Sequence, residues 1–99
     1  MTGIFAQVCE GCRIVGNIVT SCGGYGLDVP FRTNHIEGNV FTGNSDYGLR
    51  LSGNDNVYRG NTARGNGGTV CTGTVSGGDF CDEGTNNTSH GDNYLPDQM

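Results

Sequence analysis

The chain has 99 residues, of which 19 are Gly, 11 are Asn and 33% are apolar, so it holds at most one domain with a thin core. The net charge is −5, and residues 65–99 carry all of it because every basic residue is an Arg at or before position 64. An acidic chain without Lys is a poor binder of nucleic acid, and no apolar run is long enough to cross a membrane as a helix.

The first residues resemble neither a leader nor a cap. Met1 is not followed by a basic segment and an apolar run of the signal-peptide type. We therefore expect a soluble protein, cytoplasmic by default, whose compartment the sequence leaves unknown. Residues 2–8 match the end of a structural repeat, because Gly3–Ala6 align with Gly26–Val29.

From residue 12 the chain repeats every 22 residues. Five columns share this spacing: Cys12/Asn34/Asn56, Ile14/Ile36/Tyr58, Gly16-Asn17/Gly38-Asn39/Gly60-Asn61, Cys22/Asn44/Asn66 and Tyr25-Gly26-Leu27/Tyr47-Gly48-Leu49. A unit of this length is too short for two helices, and Gly and Asn in every unit oppose helix. The repeat predicts an all-β fold, a right-handed parallel β-helix of about four short coils.

The alternation of side chains predicts which residues face inward. In Leu49-Arg50-Leu51 the two Leu point to one face of a strand and the Arg to the other. Four inward columns follow: Ile14/Ile36/Tyr58, Val19/Phe41/Ala63, Leu27/Leu49/Cys71 and Val29/Leu51/Gly73. The column Ile18/Val40/Thr62 should point outward, although its first two members are apolar.

The Asn columns have a structural explanation. Coils of a β-helix lie about 4.8 Å apart, so identical side chains in one column touch. Amide groups in such a column can bond to one another and to the backbone of the turn. We expect structural ladders of this kind at five positions: Asn17, Asn39, Asn61, Asn44 and Asn66.

The segment from Ile36 to Leu51, Ile-x-Gly-Asn-x-Phe-x-x-Asn-x-x-Tyr-Gly-Leu-x-Leu, resembles the repeats of the pectate-lyase-like superfamily. The resemblance extends over residues 3 to about 73 and implies a right-handed parallel β-helix. It implies no single function, because that superfamily includes polysaccharide lyases, glycoside hydrolases, epimerases, phage tailspikes and modules without known activity.

The five cysteines allow several interpretations. Cys9-x-x-Cys12 has the spacing of half a zinc site or of a redox pair, but a second ligand pair and an activating helix are missing. The odd count and the missing leader favour reduced, packed thiols. A disulfide between Cys71 and Cys81 that closes the Gly-rich loop is the alternative.

The charged residues predict a surface rather than an active site. Asp28 lies under Arg50 and Glu37 under Arg59, which predicts salt bridges on an outward charged face, the candidate binding surface. Asp28 also ends a segment like a β-roll calcium motif, but Arg50 replaces the ligand in the next copy. No carboxylate pair shares a column, and His35 and His90 are isolated. We therefore expect no catalytic residue, no metal and no cofactor.

The repeat weakens towards its end. The chain is predicted to divide into β-helix repeats over residues 1–76 and an acidic, Gly/Asn-rich tail or cap over residues 77–99, with the register lost after Gly77.

Function is the least determined property. The apolar outward column and the lack of an N-terminal capping helix favour a non-catalytic module that forms a homo-oligomer and binds a carbohydrate or a protein. Two alternatives remain open: a fragment of a carbohydrate-active enzyme, or a structural segment of a phage or surface fibre. Neither nucleic acid nor membrane is an expected partner.

Overall fold

The computed structural model describes residues 2–5, 9–89 and 91–95; His90 lies outside this part. The strands in chain order are β1 (Ile4–Phe5), β2 (Arg13–Val15), β3 (Ile18–Thr20), β4 (Leu27–Val29), β5 (His35–Glu37), β6 (Val40–Thr42), β7 (Leu49–Leu51), β8 (Val57–Arg59), β9 (Thr62–Arg64), β10 (Thr74–Ser76), β11 (Phe80–Asp82) and β12 (Thr88–Ser89). The described residues contain no helix, and so none that could span a membrane.

The strands form three sheets that the chain visits in turn. Sheet A has the order β1-β4-β7-β11-β10, sheet B the order β12-β8-β5-β2, and sheet C the order β3-β6-β9. All of these pairings are parallel except that of β10 with β11. Because consecutive strands enter different sheets and later strands stack on earlier ones, the chain winds as a parallel β-helix, as predicted.

Gly-Asn pairs make the corner between sheets B and C. Gly16, Gly38 and Gly60 have φ of 69°, 65° and 62°, which L side chains rarely adopt. No heavy atom lies within 3.8 Å of where their Cβ atoms would be. The backbone conformation of the corner, rather than crowding, therefore requires Gly at these positions.

Three ladders of side-chain amides tie the coils together. In the first, Asn39 Oδ1 accepts from the backbone N and the Nδ2 of Asn17, and Asn61 Oδ1 accepts in the same way from Asn39. Asn44 and Asn66 repeat this pattern in the second ladder, and in the third Asn56 Oδ1 accepts from the backbone N of Asn34. Asn39, Asn44, Asn61 and Asn66 are all buried. The predicted structural role of these residues is confirmed.

The predicted inward columns are confirmed for the first two repeats. Ile14 pairs with Ile36, Val19 with Phe41, and Leu27 with Leu49. The core consists mainly of these columns, with nine buried residues: Val19, Leu27, Val29, Ile36, Phe41, Leu49, Leu51, Ala63 and Phe80.

The prediction for the third repeat of sheet A was wrong. Phe80, not Cys71, pairs with Leu49, and Asp82, not Gly73, pairs with Leu51. The chain leaves the coil after Asn66, and β10 returns antiparallel beside β11. Gly73 is exposed in this excursion.

The 22-residue register continues beyond the excursion. Asn87 lies 31 residues after Asn56 instead of 22, which leaves nine inserted residues, and it accepts the ladder bonds of Asn56 at 2.9 and 3.0 Å. Thr88 then pairs with Val57. The expectation that the register is lost after Gly77 was therefore wrong, and residue 76 does not mark the end of the coiled part.

The cysteine prediction also needs correction. Cys71 and Cys81 form a disulfide with a Cα–Cα distance of 6.0 Å, whereas Cys9, Cys12 and Cys22 are free thiols. The bond joins the excursion to β11. The alternative from the sequence is therefore right for these two residues, and reduced thiols were the wrong expectation for them.

Candidate functional site

The densest group of charged side chains lies on the outer face of sheet A. β4 and β7 place Asp28 directly beside Arg50, as the register predicted. The nine-residue insertion ends just before β11, and this brings Glu83 to the same Arg. Tyr25 covers the group, with the Arg50 guanidinium carbon 5.0 Å from its ring centre. We call these four residues the Arg50 cluster.

Arg50 is bonded to both carboxylates of its cluster. Its Nη1 lies 3.2 Å from Asp28 Oδ2, and its Nη2 lies 2.8 Å from Glu83 Oε1. The second oxygen of Glu83 accepts from the backbone N of Thr72 at 3.2 Å and from its hydroxyl at 3.3 Å. The guanidinium thus joins two coils of the solenoid and the insertion.

The two carboxyl groups of the cluster differ in electrostatic environment. Burial raises the pKa of Asp28 above its ordinary value, and Arg50 opposes this only in part. The backbone hydrogen bond from Thr72, followed by the bond from Arg50, lowers the pKa of Glu83. Opposite shifts of this kind are typical of acid–base pairs.

Access to the Arg50 cluster argues against catalysis there. The Asp28 side chain is only 9% exposed, and its carboxylate accepts from Arg50 at both oxygens. A substrate would have to displace the guanidinium to reach it. Asp28 therefore points outward as predicted but lies covered, in an arrangement that suits a structural ion pair.

The other half of the predicted charged face lies on another sheet. Glu37 and Arg59 are neighbours in sheet B, as the register predicted. Their shortest ion pairs are made elsewhere: Arg59 with Asp92 at 3.2 Å, and Glu37 with His35 at 2.8 Å. The hydrogen bond from His35 lowers the pKa of Glu37. The four predicted residues thus form two separate sites rather than one face.

Within the described part of the chain, one group of three side chains has its potential metal-ligand atoms close enough together to hold an ion. The ligand atoms of Cys71, Cys81 and Glu83 lie within 4.8 Å of one another. The two sulfurs are joined as a disulfide, so neither provides a thiolate. Cys9 and Cys12 have no third ligand of this kind, and Asp28 belongs to no such group.

A small cleft lies beside the turn after β4. It has a volume of about 130 Å³ and is lined by Pro30, Phe31, Arg32, Gly53 and Asn54. Small-molecule sites usually have several hundred Å³. Arg32, the charged residue of the lining, already pairs with Glu10 at 3.2 Å. The cleft is therefore a weak candidate for a ligand site.

The outer face of sheet C differs from both charged sites. Ile18, Val40 and Thr62 form one outward column across its three strands, as predicted. Thr20, Thr42 and Arg64 form the second, so these strands present no carboxylate. Ile18 is 76% exposed. We call these six residues the sheet C face.

Two residues of the sites were not singled out from the sequence. Glu83 was counted only as an acid of the tail, although Cys71 and Cys81 already hinted at a closed loop beside it. Asp79 is fully buried and accepts from the backbone N and Nδ2 of Asn66 at 2.9 and 3.0 Å. It occupies the place of a ladder Asn, and the repeat could not have indicated this, because Asp79 lies 13 residues after Asn66 instead of 22.

Comparison with known proteins gives a family and no individual relative. A family model described as right handed beta helix region matches residues 2–93. No curated protein and no solved structure matches the chain.

Proposed function

The chain belongs to the right-handed β-helix family, and we propose that it is a non-catalytic module that self-associates through the sheet C face. The observation that supports this proposal most directly is the exposure of Ile18 at one end of an apolar column. Its side chain is 76% exposed and stands beside Val40 on a neighbouring strand. Contiguous exposed apolar surface of this kind typically marks an interface.

Charge supports a second copy as the partner. The chain carries a net charge of −5, so two copies repel each other over most approaches. The three strands of sheet C present no carboxylate, and Arg64 is their one charged outward residue. The sheet C face is therefore where two acidic copies can approach at the least electrostatic cost.

The Arg50 cluster supports the non-catalytic part of the proposal. Glu83 and Asp28 both use Arg50 as their partner, and the Asp28 side chain is almost fully covered. An enzyme that hydrolyses glycosides needs two carboxyl groups that flank an open substrate position. In the Arg50 cluster that position is filled by the guanidinium.

Light scattering after size exclusion, over a range of protein concentrations, tests the self-association. We expect the wild-type mass to approach twice the 10.4 kDa of the chain as concentration rises. Ile18→Lys should remain monomeric, because it places a charge in the contact. Val70→Lys is the matched control, since Val70 is also 76% exposed but lies in the insertion.

Two results would overturn the proposal. One is a wild-type protein that stays monomeric at every concentration. The other is equal dimerisation of wild type and Ile18→Lys, with unchanged far-ultraviolet circular dichroism, which would place any contact elsewhere. Retention of a monomeric wild type by a polysaccharide resin would instead assign the module to carbohydrate binding.

A further inference from the structure

A tight turn at the start of the coiled part brings two thiols together. Cys9, Glu10, Gly11 and Cys12 form this turn, and Gly11 has a φ of 70°. Residues three apart in a tight turn have Cα atoms within about 7 Å, which overlaps the range that a disulfide spans. The neighbouring Cys12 thiol raises the pKa of Cys9, and the proximity of the two thiols is the main cause of this shift.

The next coil holds this turn in place. Asn34 Oδ1 accepts from the backbone N of Cys12 at 3.0 Å, and Asn34 Nδ2 donates to the backbone O of Cys9 at 2.9 Å. The Gly11 N donates to the Thr33 hydroxyl at 3.1 Å. One buried side chain therefore fixes both cysteine backbones, and the thiols need no further ordering to react with each other.

The other cysteines have different surroundings. Cys22 packs against the hydrophobic core, and its Sγ lies 3.8 Å from the backbone O of Thr20. Cys81 is fully buried in its disulfide with Cys71. Cys9 and Cys12 are partly exposed and adjacent. Cys22 is also partly exposed, so access alone does not set the pair apart. Cys9 and Cys12 are the free cysteines whose thiols interact with each other, and closure of a disulfide needs such a partner.

We propose that Cys9 and Cys12 are a reversible dithiol site that reacts with low-molecular-weight disulfides. The thiolate of one cysteine attacks the small disulfide, breaks its S–S bond and releases one small thiol, which leaves a mixed disulfide on the protein. The second cysteine then attacks the mixed disulfide. The Cys9–Cys12 bond forms and the second small thiol leaves. Two electrons pass to the small disulfide, and the two protons of the cysteines end on the released thiols.

The fold restricts what this reaction can change. Asn34 bonds backbone atoms of Cys9 and Cys12, so closure of the disulfide leaves the coil intact. The Cys71–Cys81 bond is protected by the burial of Cys81. The chain thus has one exchangeable pair, one structural disulfide and one core thiol, which accounts for the odd number of cysteines.

Intact-mass spectrometry of the full folded chain tests the site, with glutathione disulfide as the probe and peptide mapping of the products. We expect wild type to lose two hydrogen atoms through a Cys9–Cys12 bond and to keep no glutathione. Cys9→Ser and Cys12→Ser should each retain one glutathione on the remaining cysteine, because the second attack is lost. Cys22→Ser is the control and should behave as wild type does.

The proposal is overturned if wild type accumulates glutathione at Cys9 or Cys12 without closing. It is equally overturned if neither cysteine reacts, or if mapping finds Cys22 in the new bond. Reduction of the product with excess glutathione should restore both thiols while Cys71–Cys81 stays bonded. Loss of the Cys71–Cys81 bond first would reverse the assigned roles.

Discussion

Single side chains of Asn give the ladders a direction. In the ladder members between Asn34 and Asn66, Oδ1 accepts from the preceding coil, and Nδ2 donates to a backbone carbonyl 25 residues earlier, as in Asn39 to Ile14 and Asn61 to Ile36. A ladder needs a donor group at one end and only an acceptor at the other. Cys12 and Cys22 are the first residues of two columns, and their backbone N atoms donate to the Asn of the next coil. Asp79 Oδ1 is the last acceptor of the second of these columns.

Asn39→Leu tests the contribution of one ladder residue. The substitution removes the acceptor of Asn17 and the donor to Ile14. Buried groups that lose their partners cost about 1–3 kcal/mol each, so we expect at least that loss in the free energy of unfolding, measured with urea. Thr69→Leu is the control, because Thr69 is exposed in the insertion and outside the ladders, and we expect a change of about 0.5 kcal/mol or less. Equal losses in both variants would contradict the ladder account.

Asp79→Asn should stabilise the protein. The Oδ2 atom of Asp79 is buried and has no hydrogen-bond partner among the described residues. An amide at position 79 keeps Oδ1 as the acceptor for Asn66 and adds an Nδ2 donor. In the earlier coils Asn44 and Asn66 donate from Nδ2 to the backbone carbonyls of Val19 and Phe41. Ala63 is the next residue of that column, so its carbonyl is the expected acceptor.

We expect a gain of about 1 kcal/mol for Asp79→Asn, measured by urea unfolding at neutral pH. Asp92→Asn is the opposite control. Its carboxylate accepts from the Gly60 backbone N and pairs with Arg59, and both interactions lower its pKa, so this variant should lose stability. A loss of stability in Asp79→Asn would show that the carboxylate has a partner.

At the scale of elements, the segment inserted between β9 and β11 is the main structural difference between the third coil and the two before it. It places β10 beside β11, provides Thr72 as a donor to Glu83, and is closed by the Cys71–Cys81 disulfide. Glu83 then bonds Arg50 of the coil below. The insertion is therefore tied to the solenoid at several points.

Glu83→Gln tests this connection through pH. The folded pKa of Glu83 lies below its ordinary value of 4.5, so its carboxylate stabilises the fold at higher pH, and this contribution is lost as pH falls from about 4.5 through the lowered pKa. The variant should be less stable at neutral pH and should lose less stability on acidification. Urea unfolding over a pH series measures both effects. Glu10→Gln, which removes one negative charge from an exposed ion pair, is the matched control, and parallel curves for Glu83→Gln and wild type would contradict the connection between Glu83 and Arg50.

The sequence predicted most of the strands but did not predict the insertion between β9 and β11. Strands from β2 to β9 follow from columns in which Gly, Asn and apolar residues recur, because each repeat must meet the same corner and core constraints. Cys71 stood at the expected spacing from Leu49 by coincidence, and residues 69–75 alternate like an inward strand. Insertions in surface loops cost little free energy, so nothing local forbids them. The spacing of 31 residues from Asn56 to Asn87 was the signal for the resumed register.

The candidate sites were harder to predict for a physical reason. The repeat predicted which residues are neighbours, such as Asp28 and Arg50, but it does not determine which charged atoms pair. Arg59 pairs with Asp92, a residue that reaches it only after the insertion. The surroundings of Asp28 likewise depend on Glu83, which lies beyond the insertion, bonds the same Arg50 and contributes to the raised pKa of Asp28.

At the scale of the whole molecule, the chain forms one solenoid that continues beyond the insertion as far as Tyr94. The backbone N atoms of Glu83, Thr88 and Tyr94 donate to carbonyls of Leu51, Asn56 and Asn61 at 2.7–2.8 Å. These bonds continue the stack beyond the insertion. Ladders that run through several coils make it a rigid support for the sheet C face.

Amide hydrogen exchange of the full chain tests this continuity most directly. We predict slow exchange for Glu83, Thr88 and Tyr94, comparable with Val57 and Thr62 in the preceding coil, and fast exchange for the exposed residues Thr69 and Val70. If Glu83, Thr88 and Tyr94 instead exchange as fast as Thr69 and Val70 while Val57 and Thr62 stay protected, the solenoid ends at the insertion and the account is wrong.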